Sequence, residues 1–175
     1  RMYLSLIGRI PTQSELYSFL KNSDPNKKDK LTQKLLNSEG YVNHQINWWS
    51  DMLRVKDRPA GTNINVGSVY REWLRKSLRE KRPYDEIVRD LISSSGELYG
   101  NGPEVSYYVR DRGMQEDNLS HTIRIFLGTR LQCAMCHDHP FDRWTQKEFY
   151  EMTAFTSGIG SVRLDEANKK VGKLN

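Results

Sequence analysis

The chain has 175 residues, 37% of them hydrophobic, and a mean hydropathy of −0.76, which describes a polar chain able to bury one real core. No stretch approaches the roughly 18 continuous apolar residues of a membrane-spanning helix. Its net charge of +5 and pI near 9.2 come without a nucleic-acid recognition motif, so no nucleic-acid partner is expected.

Taken in chain order, the pattern is helical almost throughout. Residues 1–8 read as the end of a helix closed by Gly8 and Pro11. Thr12-Gln13-Ser14-Glu15 forms a capping box, followed by an apolar stripe of Leu16, Phe19 and Leu20. Asp24-Pro25 breaks the chain before a helix over about 26–37. In the next helix, about 40–55, Val42, Ile46, Trp49 and Leu53 recur at the helical period and predict one buried face. Asp57 to Gly67 reads as a loop, and helices follow at about 68–80 and 83–94, the second started by Pro83.

Ser93 to Gly113 is expected to be a long polar loop, briefly extended at Tyr107-Tyr108-Val109 and able to lie over a cofactor. A helix at about 115–129 leads into Cys133-Ala134-Met135-Cys136-His137, and Thr145-Gln146-Lys147-Glu148 caps a last helix to about Phe155. The fold class is therefore mainly α: a compact multi-helix domain over 1–157 with a long irregular loop and little or no strand. Residues 158–175 turn polar and lysine-rich and read as a poorly packed tail or the start of a following segment.

The pentapeptide at 133–137 is the attachment signature of a c-type haem. Two thiols three positions apart match the separation of the two porphyrin vinyl groups, and the helical turn that follows brings the imidazole of His137 beneath the iron. Two other chemistries use the same residues. Cys133, Cys136 and His139 also read as C-x2-C-x2-H, three ligands of a zinc site completed by His121, His44 or Asp142. A redox dithiol or a disulfide is the third reading, although no βαβ pattern surrounds the pair.

The chain resembles the planctomycetal cytochrome-c-like domain, a family of uncharacterised function found in large exported bacterial proteins. The resemblance runs from Tyr3-Leu4-x-Leu6-x-Gly8-x-x-Pro11-Thr12 through Trp49-x-Asp51-x-Leu53-Arg54 and Lys81-x-Pro83-Tyr84-Asp85. It continues past Asn101-Gly102 and Phe126-Leu127-Gly128 to Cys133-x-x-Cys136-His137-x-His139-Pro140-Phe141-Asp142, Trp144-Thr145-Gln146 and Tyr150. It implies an exported, mainly helical domain with a cytochrome-c-like haem motif, usually followed by further domains. Export agrees with the chemistry, because haem c is attached outside the cytoplasmic membrane; a periplasmic or extracellular location is expected. The start at Arg1, with no methionine or signal-type segment, reads as a processed product or a piece of something longer.

Cys133 and Cys136 are thus expected to anchor one covalent haem c and His137 to bind its iron. Opposite His137 the first choice is His121, on the incoming helix and sharing a face with Ile125 and Gly128, where a glycine would admit a flat ring. His44 comes next, then Met152, Met52 and Met114, which are more often core residues. His139 is expected to act as a hydrogen-bonding support rather than a ligand, and Met135 to face away.

The function expected is single-electron transfer with a redox partner protein, in a larger polypeptide or assembly. Arg71, Arg75, Arg79 and Arg82 recur near helical spacing; they read either as a solvated face partly neutralised by Glu72 and Glu80 or as a docking surface for an acidic partner. The alternatives are a haem-based enzyme module with an open iron position and a zinc-stabilised interaction domain. Whether the domain is an enzyme stays open, since no nucleophile–base arrangement stands out.

Overall fold

The computed structural model describes residues 1–58, 65–111, 113–156, 162–165 and 170–173. Its helices follow the caps and breakers of the sequence closely. Helix α1 (Met2–Ile7) ends where Gly8 turns left-handed at φ 69°, and α2 (Gln13–Lys21) opens on a reciprocal capping box. There the Glu15 amide donates to Thr12 Oγ1 at 3.3 Å and the Thr12 amide to Glu15 Oε2 at 2.7 Å. The stripe expected to bury α2 does not do so, because Leu16 is exposed and Leu20 is 61% exposed. The helix forms from its cap; of the stripe only Phe19 is half-buried, with the Lys27 ammonium 5.0 Å from its ring centre.

Helices α3 (Lys27–Leu36) and α4 (Glu39–Met52) follow, then α5 (Val66–Arg79) and α6 (Tyr84–Ser93). The expected stripe of α4 is buried as read: Val42, Ile46, Trp49 and Leu53 join Tyr70 and Leu74 of α5 and Ile87 and Leu91 of α6 in the main core. At the end of α4 the Val55 amide donates to the Ser50 carbonyl and the Arg54 amide to the Asp51 carbonyl. This double closure normally uses glycine at its left-handed position. Here Arg54 holds it, at φ 55°.

The largest departure from the sequence reading lies between 93 and 113. Turns remain at 98–101, 110, 111 and 113. Pro103–Val105 is a 3-10 turn and Ser106–Val109 is α7, helical rather than extended. Residues 105–111 are all buried, with Tyr107 and Tyr108 in the main core. Two tyrosines carry enough apolar area to draw this polar-looking stretch inward, and their hydroxyls find partners there. Tyr107 Oη lies 2.5 Å from Thr122 Oγ1, and the Tyr108 hydroxyl donates to the Ile92 carbonyl.

Helix α8 (Gln115–Phe126) and helix α9 (Gln146–Thr153) complete the helical part. A small antiparallel sheet joins strand β1 (Gly96–Glu97) to β3 (Lys170–Lys173) and β3 to β2 (Val162–Asp165), in the order β1-β3-β2. Two stretches of the segment expected as a polar tail therefore add strands to the fold; the expected boundary at 157/158 lies outside the described residues. The protein is mainly helical, and no helix among the described residues is long and apolar enough to cross a membrane.

Candidate functional site

Helix α8 carries apolar groups on two sides, and that is what seats the cysteine motif. Ile125 and Phe126 pack against the main core. Leu119 and Ile123, one turn apart, face a separate small core with Leu131, Ala134 and Phe149, flanked by Met135, Trp144 and Met152. The motif thus rests on its own apolar platform between α8 and α9. Gly128, left-handed at φ 69°, ends α8, and an added Cβ there would meet open space. Its role is to terminate the helix.

Within the motif the backbone forms a 3-10 turn over Gln132–Met135 rather than the start of a helix. The His137 amide donates to the Cys133 carbonyl at 3.4 Å, which brings the histidine one turn past the first cysteine. Ala134 is fully buried and Met135 half-buried, while Cys133, Cys136 and His137 are all exposed and both thiols are free. The spacer residues hold the platform, and the three chemically active groups face outward together. Met135 turns away, as expected.

Helix α9 clamps this turn from below. Tyr150 Oη and Gln146 Nε2 both donate to the Met135 carbonyl, at 3.1 and 3.3 Å. The Gln146 amide donates to Asp138 Oδ1 at 2.8 Å, and the His139 amide to the Trp144 carbonyl at 2.8 Å. The Thr145–Glu148 capping box forms, and its hydrogen bonds from Thr145 hold the Glu148 carboxyl below its usual range. Two large apolar side chains near the motif in sequence stay in solvent: Phe141 is 93% exposed and Leu127 68%.

Hydrogen bonding separates the four histidines by what their ring nitrogens can still do. His137 Nδ1 lies 2.6 Å from the Asp138 carbonyl. A carbonyl only accepts, so Nδ1 carries a proton, and in the neutral ring Nε2 presents the lone pair. His139 is the reverse: its Nδ1 accepts from the Phe141 amide at 3.2 Å, which places the proton of the neutral ring on Nε2. His121 Nε2 is bonded to the Arg54 guanidinium, which only donates, so that lone pair is engaged. Burial, with Arg54 beside it, holds this imidazole below its usual range. His44 packs edge-on to Gly8, where an added Cβ would lie 2.6 Å from its Nδ1. It belongs to the seam between α1 and α4.

The methionines divide similarly. Met152 packs into the small core, Met52 beside the main core, and Met114 is exposed at the cap of α8. Among the described residues no three His, Cys, Asp or Glu side chains converge as a metal site. The four arginines of the expected basic stripe are each neutralised: Arg71 by Asp57, Arg75 by Glu72, Arg79 by Glu39, and Arg82 by Asp90. The pairing fits the solvated-face reading of that stripe; three of the four carboxylates come from other elements, out of sight in the helical spacing.

Arg54 and Gln132 carried no role in the sequence reading, yet together with His121 and Arg124 they line a cleft beside the motif. A non-glycine residue at a left-handed helix end was the available signal at Arg54, and it shows only once the backbone is known. The family described as "PSCyt2: Protein of unknown function (DUF1549)" matches residues 1–160. The chain belongs to that family. No curated protein and no solved structure matches it.

Proposed function

We propose that this member of the PSCyt2 family is an exported c-type cytochrome domain of the planctomycetal cytochrome-c-like kind, carrying one covalent haem at Cys133 and Cys136. The observation that carries the reading is His137. Its Nδ1–H is committed to the Asp138 carbonyl, which leaves Nε2 as a lone-pair donor directed away from that bond. It stands one turn from two exposed free thiols. Haem bound there supplies single-electron transfer.

The chain's own contribution is positional. The buried Ala134 and the α9 clamp on the Met135 carbonyl keep both thiols outward, and Phe141 and Leu127 offer apolar surface to a flat macrocycle. Zinc is the weaker fit. A tetrahedral site requires three or four converging protein ligands, whereas porphyrin itself supplies four of the iron's ligands. His139, the histidine that zinc would need, has its Nδ1 lone pair taken by the Phe141 amide.

For the opposite face of the iron His121 remains the proposed ligand, on condition that its Nε2 exchanges Arg54 for metal. That same hydrogen bond favours a second reading, in which the iron keeps an open position and the domain binds a small molecule there. The test is expression with haem-maturation machinery in an exported compartment, followed by denaturing mass spectrometry and a pyridine haemochrome spectrum. The expected result is one haem mass that survives unfolding. An unmodified polypeptide with no Soret band would overturn the proposal. A six-coordinate low-spin spectrum selects electron transfer, and a high-spin one selects the open position.

A further inference from the structure

The cleft between the end of α4 and the outer face of α8 has a volume of about 730 Å³ and is bounded by Asp51, Met52, Arg54, His121, Arg124, Ile125 and Gln132. Its charge is unbalanced. Among the described residues neither Arg54 nor Arg124 is ion-paired, in contrast to the four neutralised arginines at 71–82. His121 must be neutral to accept from Arg54, so the lining carries two guanidinium groups and one carboxylate, Asp51, while Asp117 acts on His121 from the preceding turn of α8.

The backbone reinforces this asymmetry. Arg54 occupies the left-handed position of a helix end where glycine costs least. The same closure holds Lys81 left-handed, at φ 53°, at the end of α5; at Arg54 it brings a guanidinium into the cleft lining. Met52 and Ile125 add apolar surface to the lining, and the Gln132 amide adds a donor. A guanidinium fork fits a carboxylate through two parallel hydrogen bonds. Asp51 and Asp117 would repel a phosphate dianion more strongly than a singly charged carboxylate.

We propose that this cleft is a carboxylate site, built on Arg54 and Arg124, for a molecule with one anionic end and an apolar body. Gln132 immediately precedes Cys133, so a porphyrin tethered at the motif is one source of such a carboxylate through its propionate groups; a free small carboxylate is the other. The first source rests on the cytochrome reading above, and the second does not. A carboxylate is also a stronger partner for Arg54 than a neutral imidazole, so filling the cleft releases His121 Nε2.

The test is an NMR titration with sodium hexanoate at constant ionic strength, on haem-free protein and on protein matured with haem. Inorganic phosphate is the comparison probe, and Arg54→Gly and Arg124→Gln are the variants. Glycine suits φ 55°, so Arg54→Gly should melt no lower than the parent protein, and any loss of binding cannot be blamed on unfolding. Hexanoate should shift the His121 and Gln132 signals in the haem-free protein, and its affinity should fall by about tenfold in each variant. No binding to haem-free protein, phosphate binding as tight as hexanoate, or unchanged affinity in both variants overturns the site. If hexanoate binding disappears once haem is attached, the propionates occupy the cleft; if it persists, the occupant is a free carboxylate. A chain that acquires no haem defeats the cytochrome reading, and the hexanoate result still decides the cleft.

Discussion

Arg110 and Asp111, neighbours in the chain, form an ion pair at 2.8 Å with side chains only 1% and 5% exposed. The guanidinium stacks over the Tyr107 ring at 4.3 Å and donates to the Leu53 carbonyl at 2.7 Å, at the end of α4. It thereby caps the turn from which Arg54 emerges toward His121, so a buried pair in one core holds a surface cleft in shape. Removing one member of such a pair leaves a charge stranded in low dielectric. Asp111→Ala should therefore cost about 3–5 kcal/mol in urea unfolding. A loss near zero would mean that the guanidinium does not depend on Asp111.

The platform under the motif should be stiffer than the motif itself. Phe149 and Ala134 are fully buried, so Phe149→Ala should cost about 3–5 kcal/mol through the cavity it leaves. Ala134→Leu should cost about 1–3 kcal/mol by overpacking. In haem-free protein, Cys133→Ser with Cys136→Ser should change stability by no more than about 0.5 kcal/mol, because both thiols are exposed and unbonded. A large loss in the serine variant would place the cysteines inside the fold.

Spectra of haem-bearing variants test the ligands one at a time. His137→Ala should abolish the native axial ligation altogether. His121→Ala should convert a low-spin spectrum to a high-spin or water-ligated one. His44→Ala should leave the spectrum unchanged, since its ring packs against Gly8 at the α1–α4 seam. A spectral change from His44→Ala alone contradicts the assignment to His121.

Acid should loosen α2. Its Glu15 carboxyl is held down to about 2 from an ordinary 4.5, chiefly by the bidentate Arg9 guanidinium and then by the Thr12 amide. A depressed carboxyl contributes stability that is fully present above 4.5 and disappears as pH falls toward 2. Hydrogen exchange in α2 should accelerate across that window in the parent protein. In Glu15→Gln the acceleration attributable to this group should be absent and α2 should exchange faster already at pH 7. An identical pH profile in both proteins removes Glu15 from the acid response.

Local chemistry was legible in the sequence. The two capping boxes, the left-handed Gly8, the buried stripe of α4 and the motif at 133–137 all depend on residues within a turn or two of each other, where hydrogen-bond reach and helical period decide the outcome. Spacing also singled out Cys133, Cys136 and His137 as the expected haem-attachment set, though it could not assign the ring protons of the histidines. That assignment came from partners: a carbonyl for His137, an amide for His139, a guanidinium for His121.

What only the tertiary structure decided involves groups brought together from distant elements. The 105–111 stretch reads as polar by composition, yet it is buried because Tyr107 and Tyr108 fill a core supplied by α4, α5 and α6. The arginine stripe at 71–82 reads as basic, yet Glu39, Asp57 and Asp90, all outside α5, neutralise three of its arginines. Two of the arginines with no ion pair among the described residues are Arg54 and Arg124, some seventy positions apart and joined at one cleft only when α4 and α8 pack. Charge in a sequence is a count, whereas field at a surface depends on which carboxylates the fold delivers within a few ångströms.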